Sequence, residues 1–393
     1  MLIFVNVNPL GGCLFRNPPF STFWYLFATQ NDLVAALRDY EHGGRLEILF
    51  GKRAIAIEET LSDVRLTFKD GEVSSYDLVI GADGIHSFTR SHAVCRTSCP
   101  AASEMTSMTE VQEGTRAMPK AKYSGVTTIY GLVPTSRLDP CLLAPLDAHQ
   151  SIRTISPHAG LFAISYARSD KSVIHWFSSR SPPVPPSPDR PEPSPDAVRN
   201  QLLETYATFP EPIPALIKAT EKIYYWPVYR LEPIPEAWYS EHGRVVLVGD
   251  AAHAMPPHAA QGVGMGVEDA LFVARIITKL CTQSDAGKDR LSGIVQPSAK
   301  LWKREYHEKR LARIKHFVAH AEAQGRVRMD AACTFVGRAR EWALWAALRA
   351  INALAWVHGR SEFISTVLRL VGLGDVQGWG YDPDQEVIRL DGL

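Results

Sequence analysis

The sequence has no excess of either charge. Its 42 Lys and Arg are matched by 42 Asp and Glu. It therefore lacks the basic surplus with which a dedicated nucleic-acid binder displaces counterions from phosphates. It also lacks a cysteine framework. Six cysteines (Cys13, Cys95, Cys99, Cys141, Cys281 and Cys333) are scattered along 393 residues. Cys95 and Cys99 are spaced CxxxC, but no second close pair completes a zinc set. Reduced structural thiols in an intracellular, cytoplasmic protein without a metal site are the expectation. Long apolar runs are missing too. The most apolar late segment, WALWAALRAINALAWVH at Trp342–His358, is interrupted by Arg349 and Asn352 and falls short of the roughly 20 residues that span a bilayer. It reads as a core or dimer-interface helix, with peripheral membrane contact through 342–358 the weaker alternative. The N-terminus has no basic stretch and reaches a proline at Pro9, unlike a signal peptide. No phosphate-binding glycine turn is present. Gly11-Gly12 follow a strand-like Leu2–Val7, but the spacing is not GxGxxG, and the next residues, CLFRNPPF, carry two prolines that exclude a helix. No Asp or Glu precedes Asp32, and no internal repeat is visible.

What remains is an ordinary globular composition, 46% apolar and 21% charged, on a chain long enough for two domains. Asn31–Tyr40 has a helical apolar face with a capping residue at Asn31 or Asp32. Arg53–Glu58 and Val64–Phe68 read as strands, and Lys69–Glu72, after the second of them, reads as a hairpin turn in which Gly71 supplies positive φ. Tyr76–Ile80 reads as a further strand that runs into Gly81-Ala82-Asp83-Gly84. Ser91–Gly114 shows little periodicity and reads as a connection. Thr127–Val133, Leu161–Tyr166 and Ser172–Ser178 suggest a mostly antiparallel sheet. Ser181–Pro195 is a proline-rich insertion suited to an exposed loop. Asp196–Tyr206 and Ile213–Thr220 are short helices, and Lys222–Arg230 is an aromatic strand. The chain then becomes helical: Lys300–Met329 is long and amphipathic, and Phe335–His358 and Glu362–Val371 suggest two more helices before an acidic tail, Tyr381–Leu393.

The segment with most chemistry is Arg244–Arg275, RVVLVGDAAHAMPPHAAQGVGMGVEDALFVAR. Val245–Val248 form an unbroken apolar strand that stops at Gly249-Asp250. A loop with two prolines leads to a glycine-studded helix start, and Val267, Ala270, Leu271, Ala274 and Ile277 fall on one helical face. A carboxylate at the end of a strand can accept hydrogen bonds from sugar hydroxyls, and Gly249 permits close approach of a ligand. Glycines at a helix start leave backbone N–H groups bare toward an anionic acceptor. Alternatives stand beside each of these readings. Ala251, Ala252 and Ala270 suit packing, Glu268-Asp269 suit a helix dipole, and His253 suits a hydrogen-bonded structural role as well as acid–base chemistry.

This segment resembles the second flavin motif of the single-component FAD-dependent monooxygenases of the para-hydroxybenzoate and salicylate hydroxylase type. DLVIGADGIHSFTR, Asp77–Arg90, resembles the Asp-Gly motif that the same family places between its FAD and NAD(P)H sites. The resemblance covers roughly Leu33 to the C-terminus. It implies an α/β fold: a Rossmann-like FAD-binding domain, here incomplete, with an inserted antiparallel-sheet substrate domain and C-terminal helices. The implied boundaries are 1–97 for the first FAD-binding part, 98–240 for the substrate domain with its loop at 181–195, 241–330 for the second FAD-binding part, and 331–393 for the C-terminal helices. Asp250, next to Gly249, would bind the ribityl chain. Pro256 would sit beside the isoalloxazine, and Gly262, Val263 and Gly264 would offer backbone contacts to its pyrimidine edge. Asp83 and Gly84, with Ser87 and Arg90, would serve the pyrophosphate region and the docking nicotinamide dinucleotide. Tyr130, Tyr166, His175 and Trp176 lie on strands of the substrate side. Of these Tyr130, along with His253, is a candidate for direct chemistry.

The activity implied is oxygenation of an aromatic or other electron-rich small molecule, by hydroxylation or epoxidation, with FAD as cofactor, NAD(P)H as reductant and O2 as oxygen source. A place in secondary metabolism is a further expectation. The chain departs from the family pattern at its start. The βαβ unit with GxGxxG and its acidic ribose-binding residue are missing, and Gln30 stands where the family carries a cofactor-reaching Arg. The flavin half of the site is therefore expected without the ADP half. The alternative is a truncated or degenerate, non-catalytic homologue that binds a partner or a hydrophobic ligand.

Overall fold

The computed structural model describes residues 48–98, 120–149, 151–156, 159–168, 170–181, 193–259, 261–282 and 298–330. The helices expected at Asn31–Tyr40, Phe335–His358 and Glu362–Val371, the C-terminal tail, Gln30 and most of the proline-rich insertion lie outside the described residues. In chain order the elements are β1 (Ala54–Glu59), β2 (Val64–Phe68), β3 (Val73–Tyr76), β4 (Val79–Gly81), α1 (Phe88–Ser98), β5 (Lys120–Pro134), α2 (Ala144–His149), β6 (Ser151–Ser156), β7 (Gly160–Tyr166), β8 (Val173–Arg180), α3 (Pro195–Thr205), α4 (Ile213–Ala219), β9 (Ile223–Glu232), β10 (Val245–Leu247), α5 (Asp250–His253), α6 (Gly262–Thr282), α7 (Ala299–Trp302) and α8 (Glu308–Asp330). The mixture of helices with antiparallel and parallel strands is the α/β class that the sequence implied. The chain divides into two compact units. One contains Gly125–Val228, and the other contains Glu47–Ser124 and Tyr229–Ala323.

The second of these units holds an antiparallel sheet ordered β1-β2-β3 and a parallel pair, β10-β4. Gly71 takes φ 87° in the β2–β3 turn, as its position required. The strand expected at Tyr76–Ile80 is in fact two. Val73–Tyr76 pairs with β2, whereas Val79–Gly81 pairs in parallel with Val245–Leu247. Arg244 fixes the break, since its guanidinium donates to Asp77 C=O at 2.7 Å and to Leu61 C=O at 2.9 Å. Buried Glu59 accepts from Arg244 N–H at 2.8 Å and from the Ser240 hydroxyl, which ties β1 to the start of β10. β10 is closed on both faces, with Val245, Val246 and Leu247 fully buried. Its edge away from β4 is covered as well, by a bridge from Tyr239 to Val246 and a bond from Leu247 N–H to Trp238 C=O.

Three helical expectations change. The segment read as a connection from Ser91 begins inside α1, which packs so tightly on β4 that a Cβ on Gly81 would lie 2.6 Å from the Thr89 side chain. The long C-terminal helix is interrupted by a π-helical turn, Lys303–His307, and continues as α8. Its apolar side is as expected, with Leu301, Tyr306, Ile314 and Ala321 buried, but Arg310 is fully buried rather than on a solvated outer face. The apolar face of α6 points the other way from a core stripe. Met265, Phe272, Val273, Ile276 and Leu280 are buried, while Val267, Ala270, Leu271 and Ala274 are exposed. Ala270 is therefore not a packing residue, whereas Ala251 and Ala252 are.

The Gly125–Val228 unit is built on a five-stranded sheet ordered β6-β7-β8-β5-β9. The sequence missed β6 and placed the start of β5 too late. The turn at Arg168–Lys171 is present, with Lys171 at φ 58°. α3 and α4 cover one face. Val198, Leu202, Ile213, Leu216 and Ile217 pack with Ile129, Phe162, Ile174 and Trp176 in one core. Burying each such side chain is worth roughly 1.5–3 kcal/mol. Trp176 keeps its polar edge satisfied by donating to Thr220 Oγ1 at 2.8 Å. Asp139 caps the turn at Cys141, whose exposed thiol is free.

Candidate functional site

β10 runs out at Gly249, which adopts φ 57° and ψ −138°, a combination essentially restricted to glycine. The chain turns there and delivers Asp250 at the start of α5. An ideal Cβ on Gly249 would lie 3.7 Å from Gly266 Cα, so the strand end rests against the second turn of α6. Asp250 is solvent-exposed, and among the described residues no donor reaches its carboxylate. Even so, desolvation raises its pKa above the ordinary aspartate value, partly offset by His253. Its carboxylate is thus open to solvent yet partly desolvated. Such a group gains from hydroxyl donors brought by a ligand.

Behind this acceptor lies a buried charge network. Asp269 is fully buried. One carboxylate oxygen accepts from Gly249 N–H at 2.9 Å and lies 2.6 Å from His253 Nε2; the other accepts from Arg310 Nε at 2.9 Å. Burial pushes the Asp269 pKa up, but the hydrogen bond from His253, its charge and that of Arg310 bring it below the ordinary value. Asp269 is therefore an anion. Arg310 also donates to Met265 C=O at 3.1 Å and to Glu268, which Arg313 binds bidentately at 2.8 and 2.6 Å. Burial lowers the Arg310 pKa, and its two carboxylates more than restore it. Glu268 and Asp269 thus act as partners of α8, beyond the first turn of α6, and not as dipole-complementing acids. His253 is enclosed, 5.2 Å from the Trp238 ring, and its Nδ1 is buried without a partner. Its Nε2 faces the Asp269 carboxylate.

Asp83 ends β4 much as Asp250 follows β10, but its carboxylate is engaged. It accepts from Thr89 N–H at 2.9 Å, Thr89 Oγ1 at 3.0 Å and the Ser87 hydroxyl, which caps α1. Partial burial raises the Asp83 pKa, and these donors bring it below the usual value. Gly84 takes φ 75° to make the turn. Buried Arg90 spans both motifs, donating to Ile85 C=O at 2.5 Å and to Ala251 C=O at 2.9 Å. Pro256 is buried in the loop before α6. At the helix start Val263 and Gly264 are exposed, Gly262 is half-buried, and a Cβ on Gly262 would meet nothing within 4 Å.

The residues present suit a flavin. The amides of Gly262–Gly264 at the helix start would be donors for an electron-rich pyrimidine edge, and Asp250 would be an acceptor for ribityl hydroxyls. No described residue supplies a GxGxxG turn for the ADP half. The candidates on the other unit separate by strand alternation. Trp176 and Tyr166 face inward, Tyr166 donating to Asp147 at 2.9 Å with its phenol pKa raised to about 12 by burial and that carboxylate. Tyr130 and His175 share the opposite face, with Tyr130 stacked on Tyr224 at 4.8 Å and His175 6.0 Å away. Burial raises the Tyr130 pKa and lowers that of His175. Sequence reasoning missed Arg310. The available signal was an Arg four residues from each of the buried Tyr306 and Ile314, on the same helical face.

Comparison with known proteins agrees with the flavin motif. Residues 237–326 match the FAD binding domain family. The chain is 33% identical over 245 residues to a salicylate hydroxylase of Pseudomonas putida, covering 61% of this chain and 51% of that protein. It is 29% identical to a 6-hydroxynicotinate 3-monooxygenase of Bordetella bronchiseptica, covering 68% of this chain and 61% of the relative. The chain thus spans about half to three-fifths of the length of these relatives. Among solved structures, Klebsiella pneumoniae HpxO complexed with FAD and uric acid superposes with a TM-score of 0.57 at 22% identity, covering 82% of this chain and 68% of that one. A salicylate hydroxylase substrate complex gives 0.57 at 22% identity, covering 86% and 74%. At such identity these two carry the fold alone.

Proposed function

We propose that this relative of the salicylate-hydroxylase-type flavin monooxygenases is a FAD-dependent, NAD(P)H-consuming monooxygenase. Its substrate class would be aromatic or other electron-rich small molecules, which it would hydroxylate or epoxidise, in the cytoplasm and within a secondary-metabolic route. The observation that carries the reading is Asp250: an exposed, partly desolvated acceptor held by a glycine-only turn against a glycine-opened helix start. When bound, FAD would supply the reduction of O2 and the transfer of one oxygen atom. The protein's part is placement. Asp250 accepts ribityl hydroxyls, the amides of Gly262, Val263 and Gly264 donate to the pyrimidine edge, and Pro256 stiffens the loop between them. Arg90 pins that loop to the Asp83 turn. Tyr130 and His175 offer an aromatic surface for a planar substrate.

The absence of a GxGxxG motif from this sequence makes the test specific. FMN and FAD should quench this protein's tryptophan fluorescence with similar, weak affinity, because only the shared isoalloxazine and ribityl groups find partners. Asp250→Ala should weaken both by about 10-fold or more, the worth of hydrogen bonds to a charged acceptor. No binding of either flavin, or binding indifferent to Asp250, would sink the proposal. The competing reading, a non-catalytic homologue, draws on the absent GxGxxG and on Gln30. It would prevail if added FAD gave no NAD(P)H oxidation across a panel of phenolic substrates.

A further inference from the structure

Glu59 ends β1, and its carboxylate is served on one side only. Oε1 accepts from Arg244 N–H at 2.8 Å and from the Ser240 hydroxyl. Oε2 is buried and accepts no hydrogen bond. Facing it at 3.9 Å lies His92 Nε2 of α1, likewise buried and without a partner. The Glu59 side chain is fully enclosed, whereas that of His92 keeps 9% of its surface exposed. Burial pushes the Glu59 pKa up, and nearby His92 with the Ser240 and Arg244 donors brings it below the ordinary glutamate value. Glu59 is therefore an anion at neutral pH. A buried anion and an imidazole thus face each other roughly 1 Å beyond the usual hydrogen-bond distance.

A buried carboxylate oxygen without a donor carries a desolvation cost that no contact returns. His92 can supply the donor. Histidine changes charge between pH 5 and 8, both ring nitrogens of an imidazolium donate, and the exposed part of this ring gives protons access. The surroundings leave the pair to itself. α1 packs on β1, β10 and α5, and on β4 at Gly81. On β1, Glu58 faces Arg65. Before β10, the Arg244 guanidinium holds Leu61 and Asp77 C=O. After β4, Asp83 is engaged by Ser87 and Thr89. On α5, His253 faces Asp269, and on α1 itself Arg90 is held by Ile85 and Ala251 C=O. Among the described residues, Glu59 and not Asp250 is the carboxylate within ion-pair reach of His92. We propose that Glu59 and His92 form a proton-operated clasp between β1 and α1, which tightens when His92 takes up a proton and, through Arg90, firms the turn that carries Asp250. α1 is seated at Thr89 against Gly81, and the clasp adds a hold one turn further along. Arg90 stands between the two and donates to Ala251 C=O at 2.9 Å, next to Asp250. The effect on a ligand at Asp250 rests on the flavin reading, whereas the clasp itself does not.

Hydrogen exchange of the α1 amides in the full chain tests the clasp, at about pH 5.5 and about pH 8, on either side of histidine titration. Rates are corrected for intrinsic exchange and referenced to α6. Protection of α1 should be about 10-fold greater at the lower pH, within the usual range for coupled sites. His92→Gln leaves an uncharged donor, and Glu59→Gln keeps an acceptor for Ser240 and Arg244; each should abolish the difference, and if one fails to fold the other decides. Riboflavin affinity, measured at both pH values by fluorescence quenching, should be several-fold tighter at the lower pH in the parent and unchanged in His92→Gln. Equal α1 protection at the two pH values in the parent, or an undiminished difference in the glutamine variants, would overturn the clasp. An α1 difference confined to the parent, with riboflavin affinity the same at both pH values, would uphold the clasp and overturn its link to the Asp250 turn. If riboflavin binds at neither pH, the flavin reading fails and α1 exchange still decides the clasp.

Discussion

Removing Arg310 or Asp269 should separate two costs that the buried network combines. Arg310→Met replaces a fully buried guanidinium with an apolar side chain of similar length. Asp269 would lose its bond to Arg310 Nε but keep Gly249 N–H and His253; Glu268 would keep its bidentate pair with Arg313. Breaking a buried pair from one side costs about 3–5 kcal/mol, and the retained partners place this variant near 3. Asp269→Ala is different. It leaves the Gly249 amide, the His253 Nε2–H and the buried Arg310 charge without their common acceptor, which places it near the 5 kcal/mol end of the same range. The double variant should cost less than the sum, because the groups are in direct contact. Urea unfolding followed by tryptophan fluorescence would measure all three. The acid limb adds a sign test. Asp269 has its folded pKa below the ordinary 3.8. Its contribution is therefore complete above the unfolded pKa and is lost as pH falls through the folded value. Arg310→Met removes one cause of that depression and should move acid unfolding to higher pH. An Arg310 variant that costs more than Asp269→Ala, or strictly additive losses, would refute the account of Asp269 as the hub.

Asp250→Asn should melt at or above the parent temperature at neutral pH while weakening flavin binding, because a carboxylate with a raised pKa stabilises the fold less as pH climbs through that value; a fall in melting temperature would count against it. Asp83→Ala should destabilise by about 1 kcal/mol by leaving the Thr89 amide and hydroxyl at the start of α1 without their acceptor, visible as a lower urea midpoint, with little loss at pH values low enough to protonate Asp83. Gly249→Ala should cost about 1–3 kcal/mol from backbone strain alone, since a Cβ there meets Gly266 Cα only at an ordinary 3.7 Å. The chain purified without added flavin should show little absorbance near 450 nm; a retained stoichiometric yellow cofactor would overturn the expectation of weak FAD binding.

Local pattern carried much of this architecture into the sequence. The β7 and β8 strands, α3, α4, the Gly71 turn and the buried β10 run were readable because each has a clear period or a glycine that a turn requires. The failures share a cause: they depend on partners distant in sequence. Tyr76–Ile80 looked continuous because nothing local shows that Arg244 grips Asp77 C=O and sends the chain to a different sheet. α1 was missed although Ser87 stands at its N-cap and accepts from Arg90 N–H at 2.8 Å, because the residues after it show little apolar period. The apolar stripe of α6 was visible, but periodicity says only that a stripe exists and not whether the rest of the fold covers it. Arg310 was assigned to a solvated face because charge outweighs position in a helical pattern, whereas two carboxylates from α6 make its burial tolerable.

The two glycine-aspartate turns show how similar motifs come to sit in different surroundings. Both aspartates follow apolar parallel strands, and the sequence treated both as cofactor ligands. What separates them is the chemistry of the next few residues. Asp83 is followed by Ser87 and Thr89, whose hydroxyls, together with the Thr89 amide, occupy its carboxylate. Asp250 is followed by Ala251, Ala252 and His253, and that histidine is drawn inward to Asp269. With alanines on one side and the histidine already engaged, Asp250 has no local donor, and its negative charge remains available. The network behind it serves the same end. By holding Gly249 N–H and His253, Asp269 keeps the turn fixed and removes the nearest competing donor. A stable buried anion thus leaves an exposed one unsatisfied, as a binding site for hydroxyl groups requires.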